Sequence, residues 1–426
     1  MHFDKRPVVI GGGAAGLAAC LTLEQAGISP LLIESSDRLG GRLRTDRLPD
    51  GTPVDRGFQV LQTGYPELRR WVDFDALECA EFVPGALVFV RGKWRALADP
   101  RRALGWLPAT LGSGIGSWSD RFKVLRLVFR LQRAAPAELQ NGHFGRPKRI
   151  DSALAPKELG RWAHSSTASF FKEWGFSDAF VKEFLGPFFS GIFLEGLLET
   201  PAAQFHYTFR MLSSGKVVRP KAGMEALVEQ LAAQLTSTEV MLGCRVQAGT
   251  DTQFEVDGQP LSIAKGAILA VPGLHPAHPE VKWNACLNAV FQTSTSRFGK
   301  PVIGLIPGAE KVTNLHFMED LEGAQGKGRV NVTALYPNEG ETLESAIRAI
   351  RTELHGAGVE CGELEWSAVV HHALPRICPV GNSTAGLALE EGLFGAGDAL
   401  MAPSLDGAMR SGRMAAEALI EWIHRA

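Results

Sequence analysis

Pro7-Val8-Val9-Ile10-Gly11-Gly12-Gly13-Ala14-Ala15-Gly16-Leu17-Ala18-Ala19-Cys20 is the stretch whose reading decides the fold. Pro7 to Ile10 is a short apolar run of the kind found in buried parallel strands. Gly11, Gly13 and Gly16 fit the spacing G-x-G-x-x-G. Small and apolar residues from Leu17 to Ala26 predict a helix, which Gly27 stops. Ile28 to Ile33 predicts a second strand, and Glu34 ends it.

Each position has a physical reason. Gly11 permits the tight turn from strand to helix, Gly13 lets the backbone approach a pyrophosphate, and Gly16 lets helix and strand pack closely. Ala14 and Ala15 complete the turn and are expected to bind with it, and the new helix points its free N–H groups and positive end at the phosphates. Glu34 lies 23 residues after Gly11, close to the ~20 expected of an acid that accepts from ribose hydroxyls. Strand, glycines, helix, strand and acid in one register predict dinucleotide binding.

Outward from Glu34 the chain reads Ser35-Ser36-Asp37-Arg38-Leu39-Gly40-Gly41-Arg42-Leu43-Arg44-Thr45. The double glycine offers a second close backbone approach, and the planar fork of Arg42 suits a phosphate clamp. The run E-x-x-x-R-x-G-G-R-x-x-T, unbroken from Glu34 to Thr45, resembles the hallmark of the flavin amine oxidase, phytoene desaturase and protoporphyrinogen oxidase superfamily. Later segments resemble the same group. Val54-Asp55-Arg56-Gly57-Phe58-Gln59-Val60 is similar to its segment beside the flavin ring. Pro220 to Met224 resembles the start of a returning helix. Gly243-Cys244-Arg245-Val246 resembles the strand whose valine backbone meets the adenine. Ala267 to Pro272, with Ala270, resembles the strand ending in A-V-P. Gly395-Ala396-Gly397-Asp398 resembles the closing motif whose aspartate bonds the ribityl chain. Pro403 to Gly412 resembles the helix start under the flavin, with Asp406, Gly407 and Ala408.

The resemblance implies noncovalent FAD, since no cysteine matches the tethering motif of monoamine oxidases. The segment from Pro403 also reads on its own terms. Ser404 or Asp406 can cap a helix running to about Ile423, and its N–H groups can stabilise negative charge on a reduced ring. No second G-x-G-x-x-G follows an apolar strand, so electrons are expected to leave to oxygen, a quinone or another acceptor.

The expected fold is α/β: a Rossmann-like FAD-binding domain of the GR2 type with an interleaved α+β substrate domain. The FAD-binding pieces fall at 1–75, 220–275 and 376–426. The substrate domain takes 76–219, expected mainly helical, and 276–375. Strands are expected at Cys286 to Phe291 and Arg329 to Tyr336, and a helix at Glu341 to Leu354.

Composition agrees. The 426 residues are 45% hydrophobic and 21% charged, with a net charge of −2, which gives no nucleic-acid signal. The six cysteines lack C-x-x-C spacing and read as reduced thiols. No signal-peptide stretch and no apolar run of spanning length stands in the sequence, which points to the cytoplasm. No histidine set has metal-ligand spacing.

Residues 91–150 hold 13 Lys and Arg against 3 Asp and Glu, a local net of +10. Within them, Arg121 to Arg133 is amphipathic: Lys123, Arg126, Arg130 and Arg133 recur at helical spacing, while Val124, Leu125, Leu127, Val128 and Leu131 fill the other side. Such a helix either packs on the core with a solvated basic face or makes a peripheral membrane contact. Phe170, Phe171, Trp174, Phe176, Phe180, Phe184, Phe188 and Phe189 either line an apolar substrate tunnel or form plain core.

The function expected is hydride transfer from an apolar small molecule to flavin N5, of desaturase or oxidase type. The enzyme alternative is an amine oxidase. Amine oxidases of this superfamily commonly carry a lysine in the strand after A-V-P, and Trp283 to Phe291 contains none. The alternative of another class is a non-catalytic binding protein on the same fold, like the Rab escort relatives. No catalytic side chain is assigned.

Overall fold

The computed structural model describes residues 6–140, 160–248, 254–276, 281–294, 296–337, 340–379 and 387–425. Val8–Ile10, a strand buried on both faces, sits in the middle of a six-stranded sheet. Leu31–Ile33 and then Glu239–Met241 lie on one side; Ala267–Leu269, Leu393–Gly395 and Ala388–Glu390 lie on the other. The first five run parallel, with Val8 level with both Leu31 and Ala267, and Ala388–Glu390 turns back antiparallel at the edge. The chain leaves Val8–Ile10 towards one side and later fills the other. The crevice beyond Ile10 is therefore a switch point, where ligands bind in open α/β sheets.

Two helices cover one face. Ala14–Gln25 buries ten of its twelve residues, and Leu405–Arg425 crosses it. The crossing is close because both helices present small residues there. A Cβ added at Gly412 would stand 1.9 Å from the Ala15 carbonyl oxygen. One built on Gly16 would stand 1.9 Å from the Gly11 carbonyl oxygen, so Gly16 is required for packing.

A second, seven-stranded sheet contains Leu364–Arg376, Lys282–Gln292, Arg329–Leu335, Val312–Phe317, Ile303–Leu305, Gly85–Val90 and Lys93–Ala98, in that order. The strands expected at Cys286 and Arg329 are present, and the helix expected near Glu341 runs Leu343–Gly356. The stretch 76–219 differs from a mainly helical reading at its start. Gly85–Val90 and Lys93–Ala98 form a hairpin, and Gly85–Val90 alternates half-buried with buried residues. It pairs in parallel with Ile303–Leu305, so a partner more than 200 residues away completes it. Beyond the hairpin the chain is helical: Trp118–Arg133, Thr167–Trp174, Gly186–Phe193 and Ala202–Ser214 among the described residues.

A buried ion cluster ties the two sheets' surroundings together. Asp55 accepts from Arg219 Nε at 2.6 Å, from Thr45 Oγ1 at 2.6 Å and from the Met224 N–H at 2.9 Å. Arg219 also pairs with Glu322. Asn288, in the second sheet, donates to the Asp55 carbonyl at 2.9 Å. Burial raises the Glu322 carboxyl to about 7, against the pull of the Arg219 charge. All six cysteines are free. No helix among the described residues is long and apolar enough to cross a membrane.

Candidate functional site

The crevice beyond Ile10 opens into a cavity of about 1320 Å³. That exceeds the ~300–1,000 Å³ of a usual small-molecule pocket, so it has room for two ligands. At its polar end stand Gly11, Gly13, Ala14 and Ala15 from the glycine turn, Glu34 from the second strand, and Gly40, Gly41 and Arg42 from the following loop. Further along stand Gly57, Phe58, Gln59 and Val60, then Ala270, Gly397, Asp398 and Ala408.

The local geometry follows from the residue types. Gly11 takes φ +104°, a region open to glycine, and its position leaves 2.7 Å between a would-be Cβ and Val271. Gly13 caps the Ala14–Gln25 helix without a side-chain hydrogen bond, and no acid stands in the first turn. The helix therefore presents free N–H groups and its positive end to the cavity. Gly40 donates from its N–H to the Gly12 carbonyl at 2.8 Å, so the two glycine loops lie against each other.

Glu34 is buried, and accepts from the Gly12 N–H at 2.7 Å and the Ser36 N–H at 2.8 Å. Ser35 donates its hydroxyl to the same carboxylate at 3.3 Å. Two carboxylate oxygens offer about four acceptor sites, which leaves capacity for a ligand hydroxyl. Arg42 departs from the expected phosphate clamp. Its guanidinium grips Asp398 at 3.0 and 2.5 Å, donates to the Ala373 carbonyl at 3.1 Å, and lies over the Trp283 ring. Opposite charges in a half-buried site satisfy each other, so these two expected ligand-binding residues form one bidentate unit.

Five expected residues stand elsewhere. Gly16 lies behind the glycine turn, and Ser35 is turned onto Glu34. Val246 sits in a separate three-stranded antiparallel sheet outside the cavity lining. Asp406 faces away from the cavity: it is buried, accepts from the Glu67 N–H at 2.9 Å, and receives the Tyr207 hydroxyl. Ser404 caps the last helix instead, accepting from the Gly407 N–H at 3.0 Å. Gly407 is required by its own chain, since a Cβ there would meet the Ala402 carbonyl at 2.1 Å.

The far end is apolar. Phe180, Phe184, Phe188, Phe189 and Phe209 line it, whereas Phe170, Phe171, Phe176 and Phe205 pack into the core behind. The phenylalanine-rich stretch is thus divided between cavity wall and core. Residues 181–185 form a π-helical turn between two α-helical segments, which carries Phe184 and Leu185 to the wall.

Sequence reasoning picked out Gln59 but missed three further amides, Gln62, Gln204 and Asn314, that share its situation. Among the described residues, Gln59 Oε1, Gln62 Oε1, Gln204 Oε1 and Asn314 Oδ1 are buried without a hydrogen-bond partner, and all four residues line the cavity. A buried acceptor left unpaired costs about 1–3 kcal/mol, so these four oxygens are available to a donor that enters the cavity. Nothing in the local sequence marks Gln62, Gln204 and Asn314, because their burial comes from distant strands and helices. Cys286 also lines the cavity, and burial pushes its thiol up to about 12, so it stays protonated. No lysine stands among the described lining residues. Lys282 and Lys300 are both exposed.

Comparison with known proteins agrees with this architecture. Residues 14–248, more than half of the chain, match the family described as flavin containing amine oxidoreductase. The chain is 50% identical over 54 residues to polyamine oxidase 5 of Oryza sativa subsp. japonica, covering 13% of this chain and 11% of that protein. It is 40% identical over 60 residues to human lysine-specific histone demethylase 2, covering 14% and 7%. The matched stretches thus span a small part of these curated relatives. Solved structures match end to end in fold. A fatty acid isomerase from P. acnes superposes with a TM-score of 0.69 at 15% identity, covering 97% of this chain and 98% of that one. Cyclohexylamine oxidase from Brevibacterium oxydans gives 0.64 at 16% identity, covering 99% of each. With more than half its length matched and the glycine turn, Glu34 and the Gly40–Arg42 loop gathered at one cavity, the chain belongs to the flavin-containing amine oxidoreductase family.

Proposed function

We propose that the protein is an FAD-dependent oxidoreductase that binds its cofactor noncovalently and oxidises or desaturates an apolar organic substrate. One observation carries this reading. A single cavity runs from the glycine turn of the parallel sheet to a chamber walled by phenylalanines, with room for cofactor and substrate together.

The residues present fit FAD. The glycine turn and the uncapped helix start suit the phosphates. Glu34 has acceptor capacity for ribose hydroxyls, Arg42 and Asp398 pair within the cavity lining, and four amide oxygens there are free to accept from a ligand. Cys286, the cysteine in the lining, is held as a thiol rather than a thiolate, which supports noncovalent binding.

Bound FAD supplies the chemistry, taking a hydride from substrate carbon. The chain's own part is to bind, orient and keep out water. The phenylalanine wall holds an apolar skeleton and excludes solvent, and the Ser404-capped helix end offers N–H groups to developing negative charge. With one glycine fingerprint in the chain, the final acceptor in this reading is oxygen, a quinone or another electron acceptor.

The cavity's charges favour an apolar substrate over an amine. Its carboxylates are Glu34, Asp99 and Asp398, and each is already engaged, by backbone N–H groups, Arg101 and Arg42 respectively. None of the three is left without a partner to meet an alkylammonium group.

The test is anaerobic bleaching of the FAD-loaded protein by a panel of unsaturated and saturated lipids, carotenoid precursors, porphyrinogens and amines. Bleaching by an apolar compound is expected. Bleaching by amines alone would replace this reading with amine oxidation. A colourless protein that cannot be loaded with FAD would leave a binding protein on the same fold.

A further inference from the structure

We propose that the Trp118–Arg133 helix seats the protein on an anionic lipid bilayer, with the cavity opening toward the membrane. Trp118, Phe122, Leu125 and Phe129 recur at intervals of four, three and four residues, which places them in one stripe along the helix. That stripe points outward: Trp118 is 72% exposed, Phe122 67% and Phe129 58%. Large aromatic side chains gain nothing from water, and a contiguous exposed row of them marks an interaction face.

The flanks of the stripe decide what covers it. By helical geometry Arg121 lies along one side, and Arg126, Arg130 and Arg133 along the other. The helix holds one acid, Asp120, which is buried and occupied by the N–H and hydroxyl groups of Ser117 and Ser177. An apolar row between arginines matches acyl chains below anionic headgroups. It does not match a second copy of the chain, because two-fold pairing would set these arginines against each other.

The same helix forms part of the cavity wall. Trp118, Arg121, Val124, Leu125 and Val128 line it, as do Leu107 and Leu111 of the preceding turn, and Leu111 is itself exposed. A molecule dissolved in the bilayer thus meets the apolar chamber without crossing bulk water. This use of the seat rests on the apolar-substrate reading; the seat itself does not.

Flotation of the FAD-loaded protein with phosphatidylcholine vesicles, with and without phosphatidylglycerol, tests it. Binding is expected with the anionic vesicles at low salt, weakening as salt rises. Phe122 and Phe129 lie outside the cavity lining, so F122S/F129S should keep its flavin and lose at least about ten-fold in vesicle partitioning. R126E/R133E should lose the preference for anionic lipid. Absence of wild-type binding to anionic vesicles at low salt overturns the proposal, as does undiminished binding by F122S/F129S. A dimer in light scattering that F122S/F129S dissolves, without vesicle binding, assigns the face to self-association. Vesicle binding needs no turnover, so its failure and that of the substrate reading are separately visible.

Discussion

Replacing Gly412 with alanine should destabilise the protein although alanine is the better helix former. Two effects oppose each other. Within the Leu405–Arg425 helix, glycine to alanine gains roughly 0.5–1 kcal/mol of backbone entropy. Against that, the new Cβ would lie 1.9 Å from the Ala15 carbonyl oxygen, 2.8 Å from its carbon and 3.1 Å from its Cα. All three are backbone atoms of a buried helix, so no side chain can swing aside. Reaching ordinary contact requires the helices to part by on the order of 1.5 Å. Overpacking of that kind costs about 1–3 kcal/mol, and rigid backbone puts this case at the upper end. The net loss is about 2 kcal/mol, or roughly 2 °C in Tm for a chain of this length. Ala15 also lines the polar end of the cavity, so FAD affinity should fall with stability. Thermal unfolding and fluorescence titration of FAD measure the two. Gly356, exposed at a helix end with nothing within 4 Å of an added Cβ, is the control; G356A should be neutral or stabilising. An unchanged Tm for G412A would refute the idea that this crossing is set by backbone contact.

Three further outcomes are expected. Glu34→Ala removes the acceptor of the Gly12 and Ser36 N–H groups and should weaken FAD retention at least about ten-fold; unchanged affinity by titration contradicts the ribose assignment. Arg42→Ala and Asp398→Ala should each weaken FAD retention, and the double variant should lose less than the sum, because either change alone strands the other partner of the bidentate pair; strict additivity contradicts their acting as a unit. Glu322, raised by burial from 4.5 to about 7, binds its proton more tightly folded than unfolded. Its contribution to stability is therefore complete below the lower value and fades as pH rises through the higher one. Wild-type Tm should fall between about pH 5 and 8 more steeply than that of Glu322→Gln; parallel curves contradict the assignment.

The polar half of the site was legible in sequence because it is local. Gly11, Gly13, Gly16 and Glu34 occupy 24 consecutive residues, and their spacing encodes one turn and one helix. Gly40 and Gly41 were legible for the same reason. What escaped depends on distant chain. The Gly85–Val90 strand alternates by two, but its parallel neighbour is Ile303–Leu305, and the long helical run after it coloured the whole segment. Arg42 and Asp398 were each picked out, yet nothing in either segment announces that they meet. The amides of Gln62, Gln204 and Asn314 become significant only when three separate elements close over them. The basic spacing of the Trp118–Arg133 helix puts Leu127, Val128 and Leu131 on the inward side, where they are buried, but it puts Leu125 there too, and Leu125 stands in an outward row with Trp118, Phe122 and Phe129 that the basic spacing does not reveal. Hydrophobic periodicity says that a helix has an apolar side; it does not say that a second apolar stripe is left in water.

The strand order of the first sheet has a consequence for synthesis. Val8–Ile10 leaves the ribosome about 250 residues before one of its neighbours, Ala267–Leu269, and the strand beyond that is Leu393–Gly395. The helix that covers its first helix spans Leu405–Arg425. Until Ala267–Leu269 is made, the nascent chain therefore carries a half-paired, fully apolar strand with an open edge, the kind of surface that recruits other chains. Cofactor capture is postponed for the same reason, since Asp398 and the Ser404-capped helix arrive nearly 400 residues after the glycine turn. Closure of the sheet and loading of flavin should then fall close together in time, and holdase chaperones or free FAD supplied late should raise the yield of folded protein.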